Sequence, residues 1–320
     1  MGLLLCVNIY MVTEKLVLRT ENSNANAQPF LDCSSRIKCT GAVFEQLQCL
    51  QSNTTSENKY AVTSLLVEIN QDNSKYERWA TVLGYSLRST GKIPCSVDMI
   101  LLTTYNMSIK KRKSLERFGW NIVTVEEIKA PTGVTAEVKY ERFKHMFTKW
   151  HLFNMTKYEA VLYIDLDTLV VADIQDIFIT YVADMIQKNV HLGWTHDIPE
   201  GESRMNAGVM LVRPSGAILH DMTHKTTILS YDKRMSEQGF MNEYFKPSQE
   251  LVISQKYNYV PFVMNDTYSN KVENNPKIVH FVGVKPDVVA FLTRCWFRNS
   301  IHICNLLYDV NVITQSMMHV

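Results

Sequence analysis

The sequence predicts an α/β protein built on a central, mostly parallel sheet with helices on its faces. Three observations carry that expectation. From Tyr60 onward, apolar runs rich in β-branched residues alternate with helical patterns at short spacing, as strands joined by crossover helices do. The apolar run Val161 to Ile164 ends in Asp165-Leu166-Asp167, at the carboxyl edge where a doubly wound sheet gathers its ligands. A hydrophobic content of 46%, with 33 basic against 32 acidic side chains in 320 residues, suits a globular chain with a large core.

The elements follow in order. Residues 1–59 read as an N-terminal extension, apolar to Leu18 and then broken by polar runs without periodicity, in part disordered. Ala61 to Ile69 is a buried strand, Ala80 to Arg88 a helix and Val97 to Leu102 a second strand. Ile109 to Phe118 is a helix carrying Lys110-Lys111-Arg112-Lys113, with Gly119 placed to end it in a left-handed turn. Asn121 to Val125 is the next strand. Glu141 to Thr156 is the clearest helix, with Phe143, Phe147, Trp150 and Asn154 on one face at α-helical spacing. Strands follow at Val161–Ile164, His191–Thr195, Val209–Val212 and Ile278–Phe281. Pro214 to Tyr231 reads as a helix with proline near its start, and Ser236 opens another that runs through Glu243. The domain thus spans residues 60–290, and residues 291–320 form a C-terminal segment packed on it. The chain has no internal repeat.

Composition excludes several functions. A net charge of +1 offers no electrostatic footprint for nucleic acid. No stretch approaches the roughly 20 consecutive apolar residues of a membrane-spanning helix. Gly2 to Val12 lacks the basic flank and cleavage site of a signal peptide. The seven cysteines form no Cys-x-x-Cys pair and no disulfide framework, so free thiols in a reducing compartment are expected. Glycosylation sequons begin at Asn53, Asn106, Asn154 and Asn265, and Asn154 falls on the helix expected to be buried.

Residues i and i+2 of a strand point to one side, so Asp165 and Asp167 converge at its end. Paired hard oxygen ligands suit Mg²⁺ or Mn²⁺ carrying a phosphate ester. The plain alternative is a solvated loop with two acidic residues. A phosphatase of the haloacid-dehalogenase type would use Asp165 as nucleophile, but the chain has neither an Asp-Asp nor a Gly-Asp dipeptide to complete its magnesium site. A nucleotide-sugar transferase needs a distant third ligand and small-residue loops. Asn206-Ala207-Gly208, Ser236-Glu237-Gln238-Gly239 and His280-Phe281-Val282-Gly283-Val284-Lys285 supply candidates.

These stretches resemble the family 8 retaining glycosyltransferases, the group of glycogenin and the plant xylan glucuronosyltransferases. The matching segments are Val82 to Leu87, Phe147-Thr148-Lys149-Trp150, Tyr163 to Thr168, Asn206 to Val209, Gln238 to Glu243 and His280 to Pro286, in the family's order. The resemblance implies the Rossmann-like nucleotide-sugar fold of the GT-A type, with the catalytic domain over residues 60–290. It implies a metal-dependent retaining transferase that moves a hexose, glucose or glucuronic acid, from a UDP-sugar to a glycan or protein hydroxyl. Asp165, Asp167 and His280 would hold Mn²⁺, with Mg²⁺ as the alternative. Lys285 and Gly283 would meet the diphosphate, and Leu166 lies at the donor between the aspartates. Lys149, Asn206, Ala207, Gly208 and Gln238 would surround the sugar, while Asn73 and Tyr76 match the uridine-side loop. Glu237, Gln238 and Lys149 are the catalytic candidates. Arg142 either reaches the phosphates or forms a surface ion pair. A homodimer is compatible with this reading.

Two departures stand out. Glu237 replaces the family's usual aspartate, and Asp287 stands where tryptophan often follows Lys-Pro. The first motivates an alternative, a non-catalytic relative that binds UDP-sugar. Asp197 lies about one residue out of register with a sugar-binding aspartate of the family. The lysine run is expected to be a solvated helix face, the histidines His145, His151, His191 and His196 packed or surface groups, and Trp120, Trp150 and Trp194 core. Tyr257, Tyr259 and Tyr268 do not match glycogenin's acceptor spacing. No anchor is visible and the thiols are odd in number, so the cytosol is expected, with the Golgi lumen as the alternative.

Overall fold

Aliphatic runs covered on both faces must pair every backbone polar group, and parallel strands under helices are one solution. A computed structural model describes residues 58–67, 74–134, 141–197, 201–246, 249–260 and 275–282. These belong to one unit, Leu47–Val284. The expected N-terminal extension and C-terminal segment lie almost wholly outside the described residues.

Strands β1 (Tyr60–Leu66), β2 (Val97–Thr103), β3 (Asn121–Thr124) and β4 (Ala160–Ile164) are parallel, with β1 between β2 and β4 and β3 beside β2. Helix α1 (Ser74–Ser89) crosses from β1 to β2 and α2 (Ile109–Glu116) from β2 to β3. Ser108 caps α2, and Gly119 takes the left-handed turn after it at φ +89°. After β4 come β5 (Thr168–Val170), α3 (Asp176–Gln187), β6 (Leu192–Asp197), β7 (Gly201–Val212), α4 (Gly216–Lys225), α5 (Ser236–Phe245), β8 (Leu251–Val252) and β9 (Ile278–His280). The main sheet has the order β3-β2-β1-β4-β7-β6-β8, and β7 runs antiparallel to both its neighbours. β5 and β9 form a separate antiparallel ladder with Thr168 opposite His280.

The structure corrects several expectations. Glu141–Asn154 is helical with 3₁₀ geometry, three residues per turn. Phe147, Trp150 and Phe153 therefore share the buried face, and Asn154 at its end is exposed. Hydrogen bonds in a 3₁₀ run are poor, so docking holds it. Burying three large aromatics stabilises by about 1.5–3 kcal/mol each, and their rings interlock with Phe240 and Phe245 of α5. β7 begins at Gly201 rather than Val209, because β6 supplies backbone partners through register shifts near Trp194 and His196. Helix α4 ends at Lys225. Helix α3 and strands β5 and β8 had no clear signal in the sequence. Cys95 is disulfide-bonded, which corrects the expectation of free thiols. Its partner lies outside the described residues, and pairing depends on approach in space rather than on spacing along the chain.

Candidate functional site

Strand β4 ends at the carboxyl edge of the sheet and delivers Asp165, Leu166 and Asp167. The backbone N–H of Asp165 donates to Gly208 O at 2.7 Å, and Thr168 Oγ1 donates to Asp165 O at 2.8 Å, so β7 and β5 fix the turn. The β5–β9 ladder carries His280 to the same place, and the Phe281 N–H donates to Asp167 O at 2.9 Å. His280 Nε2 lies 3.3 Å from Asp167 Oδ1 and 4.0 Å from Asp165 Oδ2. One ligand atom from each of the three residues lies within 4.8 Å of the others. Gly208 makes the approach possible, since a Cβ there would stand 2.2 Å from His280 Cε1.

A buried cation adjoins this cluster. Lys149 Nζ lies 3.1 Å from Asp165 Oδ1 and 3.0 Å from Glu237 Oε1, and donates to Ala207 O at 3.1 Å. Burial works against its charge, but Asp165 and then Glu237 outweigh it and hold the ammonium protonated above the usual lysine range. Burial raises the Glu237 carboxyl, and Lys149 pulls it back. Tyr163 donates its hydroxyl to Asp165 Oδ1 at 2.6 Å, and burial followed by Asp165 keeps it a neutral phenol.

An array of amides borders the cluster on the other side. The Ala207 N–H donates to Gln238 Oε1 at 2.9 Å, leaving Gln238 Nε2 to donate to Asp197 Oδ2 at 2.7 Å. Asn206 Nδ2 donates to the other oxygen of Asp197 at 3.3 Å. Asn206 and Asp197 are buried, while Gln238 is half-buried at the start of α5. On the outer side of α5 a cavity of about 240 Å³ is lined by Arg204, Tyr231, Asp232, Met235, Gly239, Asn242 and Glu243.

The structure thus gathers Lys149, Asp165, Asp167, Asn206, Ala207, Gly208, Glu237, Gln238 and His280, with buried Leu166 between the aspartates. Tyr76 stands on α1 with its ring edge against Trp79 and under Lys75 Nζ. Arg142 lies over the Phe143 ring at the start of the 3₁₀ helix. Asn73, Gly283 and Lys285 lie outside the described residues. Sequence reading passed over Tyr163, Thr195 and Asn258, and left Asp197 out of register. Tyr163 had a signal, two positions before Asp165 on one strand face. Asn258 had none, because its role depends on a contact with His280, 22 residues away.

The remaining expectations concern packing. Trp120, Trp150 and Trp194 are buried in the core. His145 meets Glu127, His151 meets Glu126 O, and His191 meets Arg213 O, all away from the cluster. The lysine run lies on the outer face of α2, with Lys111 paired to Glu77. Tyr257 is buried between Tyr181 and the Lys256 and Lys277 side chains.

The donor set itself shows what it can hold. Two carboxylates and an imidazole bring one ligand atom each within 4.8 Å of the others. A divalent cation fits these residues.

The fold is of the GT-A type, and comparison with known proteins agrees. Residues 59–286 match the model of Glycosyl transferase family 8, and the chain belongs to that family. It is 34% identical over 167 residues to inositol phosphorylceramide glucuronosyltransferase 1 of Arabidopsis thaliana, covering 51% of this chain and 27% of that protein. It is 27% identical over 224 residues to glycogenin-1 of Oryctolagus cuniculus, covering 66% and 61%. The chain therefore spans less than two thirds of either relative. Among solved structures, the galactosyltransferase LgtC in complex with donor and acceptor sugar analogs superposes with a TM-score of 0.54 at 15% identity, over 78% of this chain and 95% of that one. That likeness is one of fold.

Proposed function

We propose that this chain is a divalent-metal-dependent retaining hexosyltransferase using a UDP-sugar, with glucuronic acid or glucose as the transferred sugar and a glycan or protein hydroxyl as acceptor. The observation that carries this reading is the convergence of Asp165, Asp167 and His280 within 4.8 Å at the carboxyl edge of the sheet in a family 8 chain. Those three residues would hold the cation, and the imidazole in the set favours Mn²⁺ over Mg²⁺, which prefers oxygen. The cation would supply neutralisation of the charge growing on the departing diphosphate.

The chain's own residues do the rest. Lys149 bridges Asp165 and Glu237, so Asp165 faces the cation site in one orientation. Asp197, Asn206 and Gln238 hold one another, and such a prearranged polar surface suits sugar hydroxyls. Glu237 answers to the family's aspartate and is engaged by Lys149 at 3.0 Å. Glucuronate is placed first because the relatives include glucuronosyltransferases and because one residue separates Gly283 from Lys285.

The cytosolic expectation rested in part on free thiols. With Cys95 in a disulfide and the sequon asparagines Asn106 and Asn154 exposed, the Golgi-lumen alternative has the firmer support. No helix among the described residues is long and apolar enough to cross a membrane.

A panel of UDP-sugars with Mn²⁺, read by release of UDP, tests the function. Wild type should release UDP from UDP-glucuronate or UDP-glucose, and Asp167→Ala should abolish it. Wild type that binds UDP with Mn²⁺ yet releases none from any donor is the non-catalytic relative instead.

A further inference from the structure

The hydrogen bonds behind His280 determine which of its nitrogens carries the proton. A backbone N–H can only donate, so its partner must accept. The Gly208 N–H donates to Asn206 at 2.9 Å, so the atom it meets is the amide oxygen, Oδ1. Asn258 places one side-chain atom 3.0 Å from that same Oδ1. Two oxygens cannot share a hydrogen bond without a proton, so this atom of Asn258 is Nδ2. Its second hydrogen goes to Thr195 Oγ1 at 2.8 Å. The other end of the Asn258 amide is then Oδ1, which only accepts. It lies 2.8 Å from His280 Nδ1, so Nδ1 carries a hydrogen. Nε2 faces Asp165 and Asp167 and, with a cation held between them, would direct its lone pair to that ion.

Asn258 is well placed to impose this. It is fully buried and follows a turn of 3₁₀ helix, Gln255–Tyr257. Its backbone N–H donates to Gln255 O, and Gln255 Nε2 donates back to Asn258 O at 2.6 Å. All its side-chain polar atoms are engaged, so the amide cannot flip without breaking three hydrogen bonds in a dry interior.

We propose that Asn258 is a positioning residue of the cation site, holding His280 as the Nδ1–H tautomer with Nε2 aimed at the ion, under a constraint relayed from the Gly208 N–H through Asn206. The proposal rests on the reading of Asp165, Asp167 and His280 as a divalent-cation centre. Outer partners of metal-bound histidines fix ring orientation and basicity in this way. Here the same relay passes through Asn206, whose Nδ2 reaches Asp197 and hence Gln238, so the cation side and the amide array share one set of bonds.

Two measurements test it on the full chain. In protein labelled with ¹⁵N-histidine, with His280 assigned by His280→Gln, the imidazole resonances should show Nδ1 protonated. Calorimetric titration with Mn²⁺ in the presence of UDP should show Asn258→Leu binding Mn²⁺ about 10- to 100-fold more weakly than wild type. Asn258→Asp keeps an acceptor for Nδ1–H and should lie closer to wild type than Asn258→Leu does. An Nδ1 without a proton in wild type overturns the proposal, and that arm needs no variant to fold. Equal Mn²⁺ affinity in wild type and Asn258→Leu also overturns it, while leaving the cation centre intact. Wild type that binds no Mn²⁺ overturns the cation centre itself.

Discussion

The ammonium of Lys149 is enclosed by two carboxylate oxygens and a carbonyl, with the Tyr163 ring 4.9 Å away. A buried ion pair gives little net stability over an apolar substitute, but removing one partner strands the other charge in a dry site. Lys149→Met should therefore lower the unfolding free energy by about 3–5 kcal/mol in urea titrations. Lys149→Met/Glu237→Gln should recover most of the loss, because the stranded charge goes with it. A single variant as stable as wild type would show that the carboxylates are solvated. The motif Phe147-Thr148-Lys149-Trp150 pointed to this lysine, but as a group facing the sugar. Its engagement by Asp165 and Glu237 is a tertiary fact, since those residues come from β4 and α5.

At the scale of elements, the site depends on the short β5–β9 ladder meeting β7. β9 has three residues, and its placement follows from Thr168, Leu169 and Val170 pairing with His280, Val279 and Ile278. The contact between β9 and β7 tolerates no side chain at Gly208, where an added Cβ would overlap His280 Cε1. Gly208→Ala should displace the imidazole and weaken Mn²⁺ binding in the presence of UDP by at least about 10-fold, the scale of a disturbed metal ligand. The accompanying loss of stability should be about 1–3 kcal/mol, as for an overpacked interior. Unchanged Mn²⁺ affinity in this variant would separate His280 from the ion. The strands around the aspartates were readable because apolar runs of four to seven residues leave few other options. The helix Glu141–Asn154 was readable as a helix but not in its pitch. Its α-helical spacing and its 3₁₀ spacing both bring Phe147 and Trp150 close to one face, and only packing against α5 selects between them.

Across the whole molecule, Glu250 joins the edge of the main sheet to its pH response. Its Oε2 accepts from the Leu192 N–H at the start of β6, at 3.1 Å. Burial pushes its carboxyl from 4.5 up to about 7, although the Leu192 and His191 backbone groups pull it down. A raised folded value means that the native protein holds a proton that the unfolded chain releases between about pH 4.5 and 7. Unfolding free energy should therefore fall as pH rises through that window, by roughly 1 kcal/mol once partial solvent access is discounted. Glu250→Gln should flatten the slope and be more stable than wild type at pH 8, measured by urea unfolding across pH. An unchanged slope would assign the response to another group.

Local chemistry along the chain determined much of this protein. Alternating apolar and helical patterns specify a parallel α/β sheet, since those periods match one burial pattern each. The spacing of Asp165 and Asp167 behind an apolar strand predicts a carboxylate pair at its end, and the turn between β4 and β5 brings the two together. The tertiary structure alone decided which residues surround that pair. His280 arrives through a ladder that pairs Thr168–Val170 with Ile278–His280, Asn258 is set against it by a turn, and β7 inserts its Asn206-Ala207-Gly208 segment between β4 and β6. Hydrogen bonds and ion pairs act over about 3 Å, so partners far apart in sequence become legible only when the fold has brought them within that range.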